Sequence, residues 1–412
     1  MQTESISAEA LMALEDKHGA HNYHPLPVVL SKGEGVYVWD VEGKRYFDFL
    51  SAYSAVNQGH CHPHIVKAMV EQASTLALTS RAFYNDVLGK FEEKATKLFG
   101  FDKLLPMNSG AEAVESAIKL CRKWAYEKKG IAENEAVIIV CDGNFHGRTT
   151  TIVSFSNDPD AKKNYGPYTP GFVSIPYDDI EALENALNLP NVAGFLVEPI
   201  QGEAGVYVPG SGFLANAKSL CEAKNVLFIA DEVQTGIART GKLLAVHHEN
   251  VQPDILILGK ALSGGMYPVS AVLANDEIML TIKPGQHGST FGGNPLAARV
   301  AIAALEVVEN EQLAANADRL GEIFRAEMNR IIESTDLITM VRGKGLLNAI
   351  LVNASPESSV AWDLCVDMMN NGLLAKPTHG NIIRFAPPLV MTEEQLMECI
   401  AIIESTIHNF GK

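Results

Sequence analysis

A lysine and an aspartate, 29 residues apart, are the residues of this chain best placed to do chemistry. Asp231 ends the apolar run VLFIAD (226–231), and Lys260 follows the apolar run DILILG (254–259). Because burial disfavours the ammonium form, a lysine reached through such a run can present a nucleophilic amine that forms a Schiff base. A single lysine is usually a solvated surface charge, but the small residues after Lys260 and the paired aspartate favour a reactive amine.

The aspartate indicates what the amine would react with. An opposite charge within a few ångströms favours the charged form of a group, so Asp231 is suited to hold a protonated ring nitrogen. A cationic pyridine ring is the electron sink with which pyridoxal phosphate stabilises a substrate carbanion. An aspartate at a strand end is also a common turn or helix-cap residue, and that alternative stays open for Asp231 alone.

A phosphate group would need a cradle, and the segment LLPMNSGAEAVESAIKL (104–120) offers one. Ser109 and Glu112 fit a capping box, and Gly110 before Ala111 lets backbone amides approach an anion at the positive end of a helix. Taken alone, this motif is better explained by an ordinary capped helix.

Two further segments carry side chains that could complete the site. In CDGNFHGRT (141–149), Phe145 could stack on a cofactor ring beside His146, and Arg148 could hold a carboxylate. In HGSTFGGNP (287–295), the Thr290 hydroxyl, with Ser289 before it, is a second candidate for binding the phosphate. Taken singly, an aromatic residue more often belongs to a core and an arginine to a surface ion pair.

The elements that must position these side chains predict an α/β fold with a mostly parallel central sheet. Short apolar runs whose ends carry Gly, Asp or Pro are typical of parallel strands between helical crossovers. These runs are AVIIVC (136–141), AGFLVEP (193–199), VLFIAD and DILILG, with helices predicted at 179–188 and 213–224. Ligands bind beyond the carboxyl ends of such strands, where Asp231 and Lys260 lie.

The C-terminal part of the chain favours a smaller α+β domain. Helices are predicted from about Pro295 into the 320s, from the Ser355–Pro356 pair to Gly372, and from Thr392, where Gln395 completes a capping box. Strand-like segments are VRGKGLLNAILV (341–352), LLAKPT (373–378) and NIIRFAPP (381–388). We therefore predict a large cofactor-binding domain at 46–295 and a small domain at 296–412, with residues 1–45 packing on the small domain.

Composition excludes several other classes of function. The 33 basic and 49 acidic residues give a formal net charge of −16, which disfavours nucleic acid and anionic membranes as partners. No apolar run approaches the roughly 18 residues of a membrane span. The scattered cysteines are typical of reduced thiols, and the first residues show no signal layout, so we expect an untargeted cytoplasmic protein.

One histidine-rich segment looks like a metal-binding cluster. His60, His62 and His64 surround Cys61, but no second ligand group follows at structural-zinc spacing, so we expect no metal site. The chain contains no G-x-G-x-x-G after a strand, no G-x-x-x-x-G-K-[ST] and no G-x-S-x-G. A dinucleotide fold, a P-loop and a serine-hydrolase elbow are therefore unsupported.

The runs FIADEVQTGIARTG, GKALSGG and NSGAEAVESAIK closely resemble the class III aminotransferases of pyridoxal-phosphate fold type I. The resemblance covers nearly the whole chain, and HNYHPLPVVL (21–30) with SAYSAVNQGHCHP (51–63) is similar to the branch that acts on ornithine. It implies a ping-pong transfer of the ornithine side-chain amino group to 2-oxoglutarate. It also implies a homodimer whose active sites are shared between subunits.

The resemblance implies a role for each matching residue. Lys260 would bind the cofactor covalently and carry a proton, Asp231 would pair with the ring nitrogen, and Gln234 would contact the ring hydroxyl. The implied cofactor contacts are Ser109, Gly110, Ala111, Phe145, His146, Val233, Gln234, Ser289 and Thr290, the last of these reaching across from the partner subunit.

Substrate contacts are implied in the same way. Tyr23 and Arg148 would hold the substrate carboxylate, and Tyr53 would contact the α-amino group of ornithine. Glu203 would mask Arg384 while ornithine is bound and release it to hold the α-carboxylate of 2-oxoglutarate. An exposed arginine would repel the distal cation of ornithine and attract the second carboxylate of the oxo-acid.

Three alternatives stay open at this point. One is a sister branch of the family that acts on N-acetylornithine or γ-aminobutyrate, from which Tyr53 would discriminate. Another is an aminomutase or decarboxylase on the same scaffold, which would not need the pair of Glu203 and Arg384. The third is a binding module without catalysis, which would lack the yellow colour of a bound cofactor.

Overall fold

A computed structural model describes residues 7–411, with three sheets and the helices that cover them. The strands are β1 (Leu30–Glu34), β2 (Tyr37–Asp40), β3 (Arg45–Asp48), β4 (Lys103–Met107), β5 (Val137–Cys141), β6 (Phe172–Ile175), β7 (Val192–Val197), β8 (Leu227–Asp231), β9 (Ile255–Leu258), β10 (Ser270–Ala274), β11 (Ile338–Lys344), β12 (Leu347–Val352), β13 (Leu373–Leu374), β14 (Lys376–Thr378) and β15 (Ile382–Phe385). The helices are α1 (Ala8–His18), α2 (Ser51–Ser54), α3 (Pro63–Ala73), α4 (Leu88–Phe99), α5 (Gly110–Trp124), α6 (Thr150–Ser154), α7 (Pro159–Lys162), α8 (Ile180–Leu187), α9 (Phe213–Ala223), α10 (Asp276–Met279), α11 (Pro295–Asn310), α12 (Leu313–Ile332), α13 (Val360–Asn370) and α14 (Glu393–Asn409).

The central sheet has seven strands in the order β4-β10-β9-β8-β7-β5-β6. Only β10 runs opposite to the other six strands, so the predicted mostly parallel sheet is confirmed. Every residue of β7, β8 and β9 is buried, as expected of strands covered on both faces. The four apolar runs that predicted strands correspond to β5, β7, β8 and β9.

Alternate residues of each strand enter the cores on the two faces of this sheet. In β5, Ile138 and Val140 pack in the core that contains the apolar face of α5. Ile139 and Cys141 pack in the larger core, with α4, α9 and α11. Helices therefore cover both faces of the sheet, and a site can form at the ends of its strands.

Two smaller sheets flank the central one. Strands β11, β12, β15 and β14 form an antiparallel sheet, and β1, β2, β3 and β13 form the other. In the second sheet β13 pairs in parallel with β3, so Leu373 lies opposite Phe47. The pairing joins residues from both ends of the chain, and the predicted division at 45 and 295 stays a prediction.

Three sequence-based boundaries differ from the structure. The helix predicted from Pro295 into the 320s is two helices, because Gln312 adopts a φ of 51° that a right-handed helix does not accept. The segment 341–352 contributes to two antiparallel strands, β11 and β12, rather than to one. Ser355 does not cap a helix; its hydroxyl accepts from the Glu357 amide within a turn, and α13 begins at Val360.

The histidine-rich segment is held by carboxylates. Each of its three imidazoles contacts a different acid: His60 Nε2 with Asp48 at 2.7 Å, His62 Nε2 with Glu311 at 2.8 Å, and His64 Nε2 with Glu306 at 2.7 Å. Within residues 7–411, no three His, Cys, Asp or Glu side chains are grouped so that they could hold a metal ion. Over the same residues, no helix combines the length and apolarity required to span a bilayer.

Candidate active site

The carboxyl ends of β4, β5, β7, β8 and β9 open onto a cavity of about 180 Å³. Each strand is followed within a few residues by a side chain or amide that lines it, as expected at the edge of a parallel sheet. Eight predicted cofactor residues line this cavity together: Gly110, Ala111, Phe145, His146, Asp231, Val233, Gln234 and Lys260.

Lys260 starts a short 3₁₀ turn directly after β9 and Gly259. Its backbone has a φ of 38°, a conformation that L-residues rarely adopt and that is concentrated at functional sites. Burial lowers the pKa of the Lys260 ammonium below its ordinary value, although the charge of Asp231 opposes that shift. No hydrogen bond or ion pair holds Nζ within residues 7–411, so the amine is available to a ligand.

Asp231 is held by neighbours on two sides. Its Oδ2 lies 2.6 Å from His146 Nδ1, and its Oδ1 accepts from the Val233 amide at 3.0 Å. Burial would lower the pKa of His146, but the hydrogen bond and charge of Asp231 outweigh it and raise the pKa. His146 and the Val233 amide therefore fix the orientation of the Asp231 carboxylate at the cavity wall.

The phosphate cradle has the local structure that its sequence predicts. Glu112 N donates to Ser109 Oγ at 3.3 Å, and Ser109 N donates to Glu112 Oε2 at 2.7 Å, which completes the capping box. The amides of Gly110 and Ala111 are left without intrahelical acceptors at the positive end of α5, where an anion binds well. A Cβ at Gly110 would stand 2.9 Å from Val233 Cγ1, so glycine permits this close approach.

Phe145 and Val233 line the cavity and can cover the two faces of a flat ring between them. Gln234 lies deeper, where its Nε2 donates to the Tyr53 carbonyl at 3.3 Å. Only glycine fits at position 202 beside this side chain, because a Cβ on Gly202 would lie 1.6 Å from Gln234 Oε1. The sequence analysis missed this requirement at Gly202.

Glu198 is a second residue that the sequence analysis missed. It follows β7, is 7% exposed, lines the cavity, and its Oε1 accepts from the Phe145 amide at 2.8 Å. Burial raises the pKa of Glu198 to about 7, and the nearby charge of Asp231 acts in the same direction. The apolar run that ends in Glu198 and Pro199 was the available signal, but it was interpreted only as a strand.

A pH-dependent stability is expected from Glu198. Because its pKa is raised on folding, the folded protein binds this proton more tightly than the unfolded chain, and the carboxyl destabilises the fold as pH rises through about 7. Glu198→Gln keeps an oxygen acceptor without the charge. At pH 8 we expect the variant to melt at a higher temperature than the wild type, with a gain in unfolding free energy of up to about 3 kcal/mol. At pH 5 we expect the two proteins to melt at the same temperature. Exposed Glu184→Gln is the control, and a pH-independent difference would contradict this account.

A second cavity of about 430 Å³, the outer cavity, opens outward from the first, which is the inner cavity. Four predicted substrate residues line it: Tyr23, Tyr53, Arg148 and Glu203. Tyr53 belongs to α2, a single turn whose four residues all have positive φ between 46° and 76°. A left-handed turn of ordinary residues is costly, and such strain is found where a side chain must be aimed.

Glu203 and Arg384 form an ion pair at the junction of the two cavities. Arg384 Nη1 donates to Glu203 Oε2 at 3.0 Å and to the Gly202 carbonyl at 2.9 Å. Burial alone would raise the pKa of Glu203, but the charge and hydrogen bond of Arg384 hold it below its ordinary value. Arg384 is 2% exposed, and its guanidinium carbon lies 5.2 Å from the Tyr53 ring centroid, a cation–π distance.

Three predicted cofactor residues stand apart from the inner cavity. Ser109 is exposed and lines a neighbouring opening that also contacts Lys260. Ser289 Oγ accepts from Asn108 Nδ2 at 3.0 Å, beside the capping box. Thr290 is exposed and lines neither of the two cavities, so a single copy of this chain does not bring it to the site.

These groups fit pyridoxal phosphate on structural grounds. Among the described residues, the cavity has a partly buried amine without a partner, a fixed carboxylate for a ring nitrogen, and a helix N-terminus with free amides for a phosphate. His146 Nε2 is buried without a hydrogen-bond partner in the described structure, as expected beside a ligand.

Comparison with known proteins places the chain in a family. The model of the class III aminotransferases matches residues 18–407. The chain belongs to the class III aminotransferases. The predicted family, fold type and enzyme class are therefore confirmed, and the chain is a pyridoxal-phosphate-dependent transaminase.

Individual relatives agree over almost the whole length. The ornithine aminotransferase of Drosophila ananassae, named as mitochondrial, is 65% identical over 400 residues, which are 97% of this chain and 91% of that protein. An ornithine aminotransferase structure from Toxoplasma gondii, with pyridoxal phosphate at partial occupancy, has a TM-score of 0.96 at 49% identity and covers 98% and 94% of the two chains. An acetylornithine aminotransferase structure from Elizabethkingia anophelis has a TM-score of 0.91 at 67% identity and covers 99% and 100%.

The predicted cytoplasmic location is wrong by these comparisons. The Drosophila ananassae relative and three further curated relatives are named as mitochondrial proteins. The prediction relied on the scattered cysteines and on the lack of a signal layout in the first residues. Reduced thiols argue against an oxidising compartment without distinguishing one reducing compartment from another.

Proposed function

We propose that this chain is an ornithine δ-aminotransferase that moves the side-chain amino group of L-ornithine to 2-oxoglutarate. The products are glutamate and glutamate 5-semialdehyde, which cyclises to pyrroline-5-carboxylate. The observation that carries the proposal is the ion pair of Glu203 and Arg384 at the cavity junction. A site that accepts a cation and a dicarboxylate in turn needs an arginine that can be covered and uncovered. The relatives named as ornithine aminotransferases support ornithine as the first substrate.

The cofactor is assigned to the inner cavity by its donor groups. When bound there, pyridoxal phosphate supplies an aldehyde for the amino group and a ring that stabilises negative charge. His146 orients Asp231, which would keep the ring nitrogen protonated. Gly110 and Ala111 would bind the phosphate through their amides.

Lys260 is the group that moves the proton in each half-reaction. Its amine lies at the cavity wall, and burial favours the neutral form that can accept a proton from the substrate carbon. Phe145 and Val233 line the cavity, where they would exclude water from the two faces of the ring, and Gln234 would hold the ring hydroxyl.

The outer cavity is assigned to the substrates. Tyr23 and Arg148 bind the carboxylate of ornithine, and the Tyr53 hydroxyl accepts a hydrogen bond from its α-amino group. The distal amine of ornithine then enters the inner cavity. Glu203 then neutralises Arg384 beside that amine. In the second half-reaction Arg384 binds the α-carboxylate of 2-oxoglutarate.

A homodimer belongs to the same proposal. Phe83, Tyr84 and Phe291 are large apolar side chains that are 72%, 105% and 49% exposed. Their segments are adjacent, since a Cβ at Gly293 would lie 3.3 Å from Arg81 Nη1. Exposed Thr290 lies in this patch, where a second subunit can use it to complete the phosphate site. Sedimentation equilibrium tests the pairing, and a monomer at micromolar concentration would contradict it.

A substrate panel tests the proposed reaction. Purified protein should convert ornithine with 2-oxoglutarate far faster than it converts N-acetylornithine or γ-aminobutyrate. N-acetylornithine is the competing substrate to measure first, because the Elizabethkingia anophelis neighbour is an acetylornithine aminotransferase. Brisk activity on N-acetylornithine without turnover of ornithine would assign this chain to that branch.

Replacing Glu203 by alanine is expected to separate the two half-reactions. The uncovered Arg384 would face the distal cation of ornithine, so the ornithine half-reaction should slow by about tenfold to a hundredfold. The 2-oxoglutarate half-reaction should be affected much less, because its second carboxylate needs a free arginine. Stopped-flow absorbance resolves the two steps, and equal losses in both would remove the switch from the proposal.

A further inference from the structure

Lys376 lies next to Arg384, the arginine that forms the ion pair with Glu203. Strand β14 runs antiparallel to β15, with Lys376 directly opposite Arg384. Residues directly opposite in such a pair project from the same face of the sheet, with their Cβ atoms about 5 Å apart. Lys376 also lines the outer cavity together with Glu203 and Arg148.

The position of Lys376 has an electrostatic cost. Its side chain is half-buried, and no hydrogen bond or ion pair to its ammonium occurs within residues 7–411. Burial lowers the pKa of Lys376, and the negative charge of Glu203 acts against that shift. Like charges directly opposite on a sheet repel, so in this conformation the carboxylate of Glu203 compensates two cations but bonds only one.

The main chain of Glu203 is tied to the same strand as Lys376. Thr378 Oγ1 donates to the Glu203 carbonyl at 2.8 Å, and Thr378 is two residues beyond Lys376 on β14. The backbone of Glu203 can therefore stay in place while its side-chain torsions turn the carboxylate. A carboxylate that leaves Arg384 inside a partly buried cavity is unfavourable unless another cation receives it.

We propose that Lys376 is the second partner of Glu203 and holds its carboxylate while Arg384 binds the oxo-acid. Lys376 is then a positioning residue that acts through Glu203, and the inference rests on the proposed function. The other cations near Glu203 are less suited. Arg148 is assigned to a substrate carboxylate, and His379 is exposed in the turn after β14.

The competing explanation is that Lys376 binds the second substrate carboxylate directly. The two explanations differ in a Glu203→Gln background. If Lys376 acts through the Glu203 charge, its removal has no further effect once that charge is absent. If Lys376 contacts the oxo-acid, its removal weakens binding in both backgrounds.

The experiment uses the cofactor-loaded full chain and compares Lys376→Met, Lys376→Arg and Lys163→Met. The last of these changes an exposed lysine that does not line the outer cavity. Glutarate, an inert dicarboxylate, probes binding by titration, and stopped-flow absorbance measures each half-reaction. For Lys376→Met we expect glutarate affinity and the 2-oxoglutarate half-reaction to fall by about tenfold, with the ornithine half-reaction within about threefold of wild type. Lys376→Arg should recover most of the loss, and Lys163→Met should match the wild type.

The outcomes separate the inference from the function beneath it. Equal losses in both half-reactions, or a Lys376→Met effect that persists in the Glu203→Gln background, would overturn the inference while wild-type turnover stands. A wild-type protein that fails to transfer the ornithine amino group would instead reject the proposed function. Glutarate binding remains measurable in that case, so the Lys376 and Glu203 coupling is still decided.

Discussion

Lys260→Ala is expected to abolish transamination, with a loss of roughly 10⁴-fold or more in turnover. The variant lacks both the amine that joins the cofactor and the base that moves the proton. Nothing else at the inner cavity replaces it among the described residues, because the other cation at the junction, Arg384, is held by Glu203. The visible absorption band of the wild type should be lost or shifted in the purified variant.

The control for this experiment is Lys90→Ala, which removes an exposed lysine from α4. It should retain the colour and the turnover of the wild type. If Lys260→Ala kept the same visible band and a measurable fraction of activity, the amine at the cavity wall would not be the reactive group. The assignment of the inner cavity to the cofactor would then have to be abandoned.

Asp231→Asn is expected to lower turnover by about 10²-fold to 10⁴-fold with little change in size. A neutral amide cannot stabilise a protonated ring nitrogen, so the ring loses its capacity to accept electrons. The amide oxygen can still accept from the Val233 amide, now 3.0 Å from Oδ1. Cofactor affinity and the visible spectrum should change together with the rate.

A capping aspartate provides the matched control. Asp179 Oδ1 accepts from the Ala182 amide at 2.8 Å at the start of α8, so Asp179→Asn alters a cap away from the cavity. That variant should lose at most about 1 kcal/mol of stability and no activity. If Asp231→Asn behaved in the same way, Asp231 would be only a turn residue, which is the ordinary alternative for an aspartate at a strand end.

The position of Asp231 and Lys260 could be predicted because each depends on local sequence and one general rule. A fully apolar run of four or five residues between turn signals is typical of a buried parallel strand, and β8 and β9 are such strands. The carboxyl ends of parallel strands meet at one edge, so the polar residue after each run enters the same cavity. The capping boxes at Ser109 and Thr392 are equally local, and both are present.

The features that escaped prediction depend on contacts between distant segments. The fit of Gly202 against Gln234 and the bond from the Phe145 amide to Glu198 join residues that are 32 and 53 positions apart. The left-handed turn at Tyr53 contains no glycine or asparagine, so no residue type announces it. The break before α12 could not be predicted for the same reason, since a glutamine within a helical pattern does not indicate a positive φ.

The pairing of β3 with β13 has a consequence for how the chain folds during synthesis. Strand β3 leaves the ribosome early, but Phe47 finds its partner Leu373 only when nearly all of the polypeptide has been made. Until then the edge of β3 is open, and contacts of such long sequence separation form slowly. We expect nascent chains that stop before residue 373 to leave their first fifty residues sensitive to protease, and chaperones that cover strand edges to act on this segment.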